Sequence, residues 1–152
     1  MKLTSPAFSE GKTIPKAFTR DGADRSPALH IEDVPRGAKS LVLILDDPDA
    51  PNGTFTHWVL FNISPETRDI HEDVPPVMAT QGRNDYGEIG YGGPQPPSGE
   101  HRYVFKLYAL DTVLSLSRGA TKSDVQAAMK GRILAETKLT GRYASAEAVG
   151  AR

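Results

Sequence analysis

Tyr86 to Leu110 reads YGEIGYGGPQPPSGEHRYVFKLYAL. Its first half carries Gly87, Gly90, Gly92, Gly93, Pro94, Pro96, Pro97 and Gly99, while its second half, Tyr103 to Leu110, is nearly all β-branched, aromatic or aliphatic. Glycine reaches backbone shapes closed to other residues, and proline fixes φ and removes a donor. The stretch therefore predicts a shaped loop feeding a strand. His101 and Tyr103 stand at the join, where a scaffold commonly presents a small site.

Upstream, two further runs predict strands. Ser40 to Leu45, SLVLIL, is a continuous apolar run, as expected of a strand buried on both faces. It ends in Asp46-Asp47-Pro48-Asp49-Ala50-Pro51-Asn52-Gly53, a turn at every residue. Phe55 to Ile63 follows; strict alternation puts Phe55, His57, Val59, Phe61 and Ile63 on one face and Thr56, Trp58, Leu60 and Asn62 on the other. The loop between these runs suits an antiparallel return. Lys2 to Phe8, Leu29 to Ile31 and Lys138 to Ala144 read as weaker strands, with one edge strand near Ile14 to Phe18. Thr121 to Ala135 reads as the one good helix, with Thr121 as N-cap and Val125, Ala128, Met129 and Ile133 as its apolar stripe. Ser64 to Thr80 reads as connection, and the end of the chain, 144–152, as frayed.

Composition narrows the functional classes. A chain of 152 residues is expected to form one domain over its whole length, and 14 Gly with 12 Pro favour many short strands over a helical bundle. The 18 basic and 19 acidic residues almost balance, which gives no argument for nucleic acid or a membrane surface as partner. Without cysteine there is no disulfide, thiolate metal site or cysteine nucleophile. Neither a signal peptide nor a membrane-spanning run is apparent, so a cytoplasmic protein is the expectation.

His30 and His71 read as solvated histidines. His57 and His101 open strongly apolar strands, and each reads equally as a core histidine donating to a carbonyl or as a group facing a ligand. Antiparallel pairing would bring Asp47, Asp49 and His57 to one end of the sheet, where a carboxylate can fix an imidazole tautomer. Asp-Pro-Asp-Ala-Pro also reads simply as a capped turn. His101 and Tyr103 lie two apart, so both project to one side and Arg102 to the other. Such donors, with backbone N–H groups from a Gly-Gly-Pro loop, suit a phosphate, sulfate or carboxylate. Ser98 is the sole nucleophile candidate nearby, and G-x-S-x-G is absent. His57, His101 and a carboxylate are ligand types for a metal, but no supporting spacing is present. Glycines leading into a strand are neither a phosphate loop nor a dinucleotide fingerprint.

At this point DPDAP (Asp47 to Pro51), THWVLFNI (Thr56 to Ile63) and NDYGEIGYGGPQPPSGEHRYVFKLYAL (Asn84 to Leu110) together resemble the phosphatidylethanolamine-binding protein family, in particular its short bacterial Raf-kinase-inhibitor-like branch. The resemblance runs in order over nearly the whole chain, to Leu139-Thr140-Gly141-Arg142-Tyr143. It implies a mainly β fold, a β-sandwich with Greek-key connections and one or two small helices near the C-terminus. It also implies a small pocket for phosphate-like anions and the phosphorylethanolamine head of lipids, lined by Asp47, Asp49, His57, His101 and Tyr103, with Tyr91, Gly92, Gly93 and Pro94 in its wall. No cofactor, metal or catalysis is implied. The alternative role it implies is a protein-interaction module that inhibits a kinase or protease, and, since bacterial relatives often dimerise, a homodimer is among the partners it suggests. At least one cis bond among Asp47-Pro48, Ala50-Pro51 and Gly93-Pro94 is a further expectation. Gln95 stands where many bacterial relatives carry cysteine, and with so few residues after Tyr143 a counterpart of the helix that gates the pocket in animal members is not expected.

Overall fold

The structure is a computed structural model, which describes residues 1–145. In chain order its strands are β1 (Lys2–Thr4), β2 (Leu29–Glu32), β3 (Ser40–Asp47), β4 (Phe55–Ile63), β5 (Asp69–Ile70), β6 (Thr80–Gln81), β7 (His101–Leu110) and β8 (Ile133–Tyr143). The helix α1 (Lys122–Met129) precedes β8, and a 3₁₀ turn spans Lys16–Phe18. A small sheet has the order β1-β2-β5 and a large one the order β6-β4-β3-β7-β8. All pairings within them are antiparallel. The fold is mainly β, in two sheets with one helix among the described residues.

The apolar run of β3 accounts for the layering. Leu41, Leu43 and Leu45 enter the core between the two sheets, with Leu3, Leu29, Ile31 and Ile70 from the small sheet and Tyr103, Phe105 and Leu107 from β7. Val42 and Ile44 enter a second core on the opposite face, with Val125 and Met129 of α1 and Leu110 and Leu114. A strand covered on both sides needs no polar face, so its sequence does not alternate.

Strand β4 departs from strict alternation. Leu45 pairs with Trp58 but Asp46 pairs with Thr56, so His57 is an extra residue, a β-bulge. Thr56 bonds Asp46 on the α1 side, whereas His57 packs against Tyr103 with ring centroids 5.4 Å apart. The expectation that His57 shares a face with Val59 and Phe61 is thereby corrected: those two lie in the core under α1, and the bulge turns His57 to the inter-sheet side. A second irregularity, with Asn62 at φ 55°, returns Ile63 to the inter-sheet core.

Other expectations are also corrected. The helix ends at Met129, and Gly131 turns at φ 77°, where a left-handed residue stops a helix. Ile133 to Ala135 therefore open β8 and pair along β7 from Leu110↔Ile133 to His101↔Tyr143. The edge strand near Ile14 to Phe18 is replaced by the 3₁₀ turn after Pro15, with Thr19 Oγ1 donating to Lys16 O at 2.8 Å. The first strand stops before Pro6, and the connection after Ser64 holds β5 and reaches β6. No peptide bond among the described residues is cis; every X–Pro bond keeps its ordinary trans preference, and Gly53 at φ 101° supplies the reversal in the β3–β4 turn. Most of the segment expected to fray, 146–152, lies outside the described residues. No described helix is long and apolar enough to cross a membrane.

Candidate functional site

At the loop end of β3, β4 and β7 lies a cavity of about 160 Å³. Asp47, Ala50 and Pro51 from the β3–β4 turn, Phe55 and His57 from β4, His101 and Tyr103 from β7, and Tyr86, Gln95, Pro96 and Pro97 from the long loop line it. The volume is below the range of roughly 300–1,000 Å³ for pockets that take drug-sized ligands.

Asp47 is the hinge of this arrangement. Its Oδ1 accepts the N–H of Asp49 at 2.8 Å, the Asx-turn that Asp-Pro-Asp favours. Its Oδ2 lies 2.6 Å from His101 Nδ1, and both side chains are buried. The carboxylate accepts there, so Nδ1 carries the hydrogen and Nε2 is the free nitrogen. Asp47 thus partners His101 and not His57. Asp49 turns outward instead, accepting from Arg102 N at 2.8 Å, Nε at 3.0 Å and Nη2 at 2.8 Å. The Arg102 guanidinium and backbone N–H hold the Asp49 carboxyl down at about 2. The residue thereby pins the turn to the start of β7, outside the cavity lining.

His57 is held from the other side. Its Nδ1 donates to Gly92 O at 2.7 Å, and Gly92 N donates back to His57 O at 2.9 Å. Burial pushes the His57 pKa below the ordinary imidazole value, so the ring is neutral near pH 7. The Tyr103 ring stacks on His101 with centroids 6.4 Å apart. Its hydroxyl is buried and has no partner among the described residues, and burial pushes its pKa far above 10, so it keeps its proton.

The expected wall, Tyr91 to Pro94, lies behind the cavity. Tyr91 Oη donates to Phe18 O at 2.5 Å and its ring meets Trp58 edge-on. Gly93 N donates to Asp24 Oδ1 at 2.7 Å, and Pro94 O accepts from Arg20 N at 3.0 Å. The segment holds the site without lining it. Glycine is required there by close approach: a Cβ on Gly92 would sit 2.5 Å from Tyr86 Cδ2, and one on Gly93 2.5 Å from Asp24 Oδ1.

Tyr86 and the Gln95-Pro96-Pro97 run also line the cavity, a role that the residue types of the loop do not mark. Tyr86 Oη donates to Gly93 O at 2.9 Å, the Arg20 guanidinium lies 3.7 Å above its ring centroid, and its edge meets Phe55 and His57. The available signal was its place just before Gly87, at the head of the same Gly/Pro loop. Ser98 is exposed and is not part of the lining. No cluster of three or more His, Asp or Glu side chains suited to a metal ion occurs among the described residues.

Comparison with known proteins places this geometry in a family. The model of the family described as phosphatidylethanolamine-binding protein matches residues 4–144. A UPF0098 protein of Methanothermobacter thermautotrophicus is 53% identical over 94% of this chain and 98% of its own length. One from Chlamydia trachomatis is 48% identical over the same shares. Among solved structures, a phosphatidylethanolamine-binding protein homolog from Chlamydia trachomatis superposes with a TM-score of 0.90 at 47% identity, covering 94% of this chain and 96% of that one. Escherichia coli YbcL, described as a new member of the mammalian family, superposes at 0.89 with 29% identity, covering 95% and 98%. The chain belongs to the phosphatidylethanolamine-binding protein family.

Proposed function

We propose that the protein is a non-catalytic binding protein for a small phosphate-bearing anion, free or as a phosphorylethanolamine-like headgroup. The observation that carries this reading is the pair of imidazoles on the cavity. Each has Nδ1 committed to the protein, His101 to Asp47 and His57 to Gly92, and each leaves Nε2 unclaimed. Two ring orientations are thus fixed before any ligand arrives, and such preorganisation lowers the cost of binding. The Asp47 carboxylate fixes the His101 ring so that its Nε2 meets the cavity, and the Tyr103 hydroxyl is a donor without a partner among the described residues. Ser98 stands outside the lining, so no serine nucleophile faces the cavity.

Calorimetric titration with inorganic phosphate tests the reading. Saturable 1:1 binding is expected for the wild type, weakened at least about tenfold in His101→Ala through loss of one charge-assisted bond. Equal affinity in the two proteins would count against it.

A further inference from the structure

His57 meets the cavity with a nitrogen whose chemical sense is set by the backbone. Gly92 O is a carbonyl and can only accept, so at 2.7 Å the hydrogen of the neutral ring lies on Nδ1. The other ring nitrogen, Nε2, then presents a lone pair in a side chain that lines the cavity. The reciprocal Gly92 N to His57 O bond at 2.9 Å holds strand and loop in register, so the ring cannot easily exchange its two nitrogens. The cavity is therefore not a uniform ring of donors. One position of its wall requires a hydrogen from the occupant.

We propose that His57 makes the cavity selective for anions that still carry a proton, such as hydrogen phosphate or the monoanion of a phosphate monoester, over fully deprotonated anions of the same shape such as sulfate. The P–OH group would donate to His57 Nε2 while an unprotonated oxygen accepts from the Tyr103 hydroxyl. Sulfate is likewise tetrahedral, but at neutral pH it has no hydrogen to give, so one of its oxygens would meet the imidazole lone pair. Protonating His57 would relieve that contact. Against it stand the burial of the ring, which holds the neutral form, and its neighbours Phe55, Tyr86 and Tyr103, none of which carries charge near pH 7. The Asp46 and Asp47 carboxylates of β3 and Asp24 from the preceding loop favour the proton, but Asp47 is already bonded to His101, and burial outweighs their pull.

This proposal rests on the anion-binding reading, and titrating the wild-type chain with phosphate and with sulfate at neutral pH and matched ionic strength separates the two. Saturable phosphate binding with sulfate at least about tenfold weaker is expected, the scale of one lone pair left facing another. Phosphate and sulfate binding within about threefold of each other would leave the anion site standing and overturn the proposal. If neither ion saturates, both readings fall. Phosphorylethanolamine in a third titration has a second pKa of about 6 and so mostly lacks a P–OH at neutral pH: an affinity that gains on that of phosphate as pH falls to about 5.5 supports the proposal, and one that does not gain overturns it. In His57→Gln the amide can turn its NH₂ inward, so sulfate should gain on phosphate. Should that variant not fold, ¹⁵N NMR of the wild type decides, since an Nε2–H tautomer at His57 would overturn the proposal.

Discussion

Tyr103 concentrates the account at the scale of the residue. Its hydroxyl is buried without a partner among the described residues, a state that costs a free protein about 1–3 kcal/mol when no water reaches the group. Tyr103→Phe is therefore expected to be at least as stable as the wild type, by urea midpoint, while binding phosphate more weakly; a large loss of stability would mean that the hydroxyl has a partner in the folded chain. His57 supplies a pH dependence with a definite sign. Its folded pKa lies below the unfolded value of about 6.5, so its contribution to stability is full above that value and is lost as pH falls below it. Urea midpoints at about pH 7.5 and 5.5 should accordingly drop further in the wild type than in His57→Gln, and parallel drops would contradict the assignment. The chemistry-bearing residues around the cavity, Asp47, His57, His101 and Tyr103, were legible in the sequence as types at strand ends. Which carboxylate meets which imidazole was not, because that depends on the register of three strands and on one extra residue.

At the scale of the element, the bulge at His57 is the decisive departure. Alternation reads every second residue as one face, and a single inserted residue reverses the reading for everything before it. No residue type in Phe55 to Trp58 marks the insertion, since His and Trp both fit a pleated strand. The helix was overextended for a comparable reason: Val125, Ala128, Met129 and Ile133 fit a helical stripe, but Gly131 turns left-handed, and the edge of β7 takes Ile133 to Ala135 as a partner. Behind the site, the carboxylate of Asp46 ties the elements together. It is 1% exposed, and its Oδ2 accepts from Lys106 of β7 at 3.1 Å and Lys122 of α1 at 2.7 Å, while Oδ1 accepts from Thr56 of β4. Either lysine alone keeps a cation on the buried charge. Lys106→Met and Lys122→Met should each cost less than about 1 kcal/mol, and the double variant should exceed their sum by about 1 kcal/mol or more. A double-mutant cycle in urea measures this directly, and additivity would mean that the two bonds act independently.

For the whole molecule, the two cores explain why the fold was readable. The apolar run of β3 required cover on both faces, and the structure supplies it with the small sheet on one side and α1 on the other. The short strands β5 and β6 were hidden because two residues carry no periodicity, and their pairing is set by the strands they meet. The same architecture gathers the β3–β4 turn, the start of β7 and the Gly/Pro loop at one end of the large sheet, so residues far apart in sequence share one cavity. Loop and strand of Tyr86 to Leu110 serve different purposes there: Tyr91 to Pro94 anchor, Gln95 to Pro97 line, and His101 with Tyr103 face the space. The central claim is that this space takes a phosphate. A crystal structure of the protein grown with inorganic phosphate tests it most directly. The account predicts a phosphate within hydrogen-bond distance of His101 Nε2, with one oxygen directed at His57 Nε2. A cavity that holds only water at saturating phosphate would contradict it.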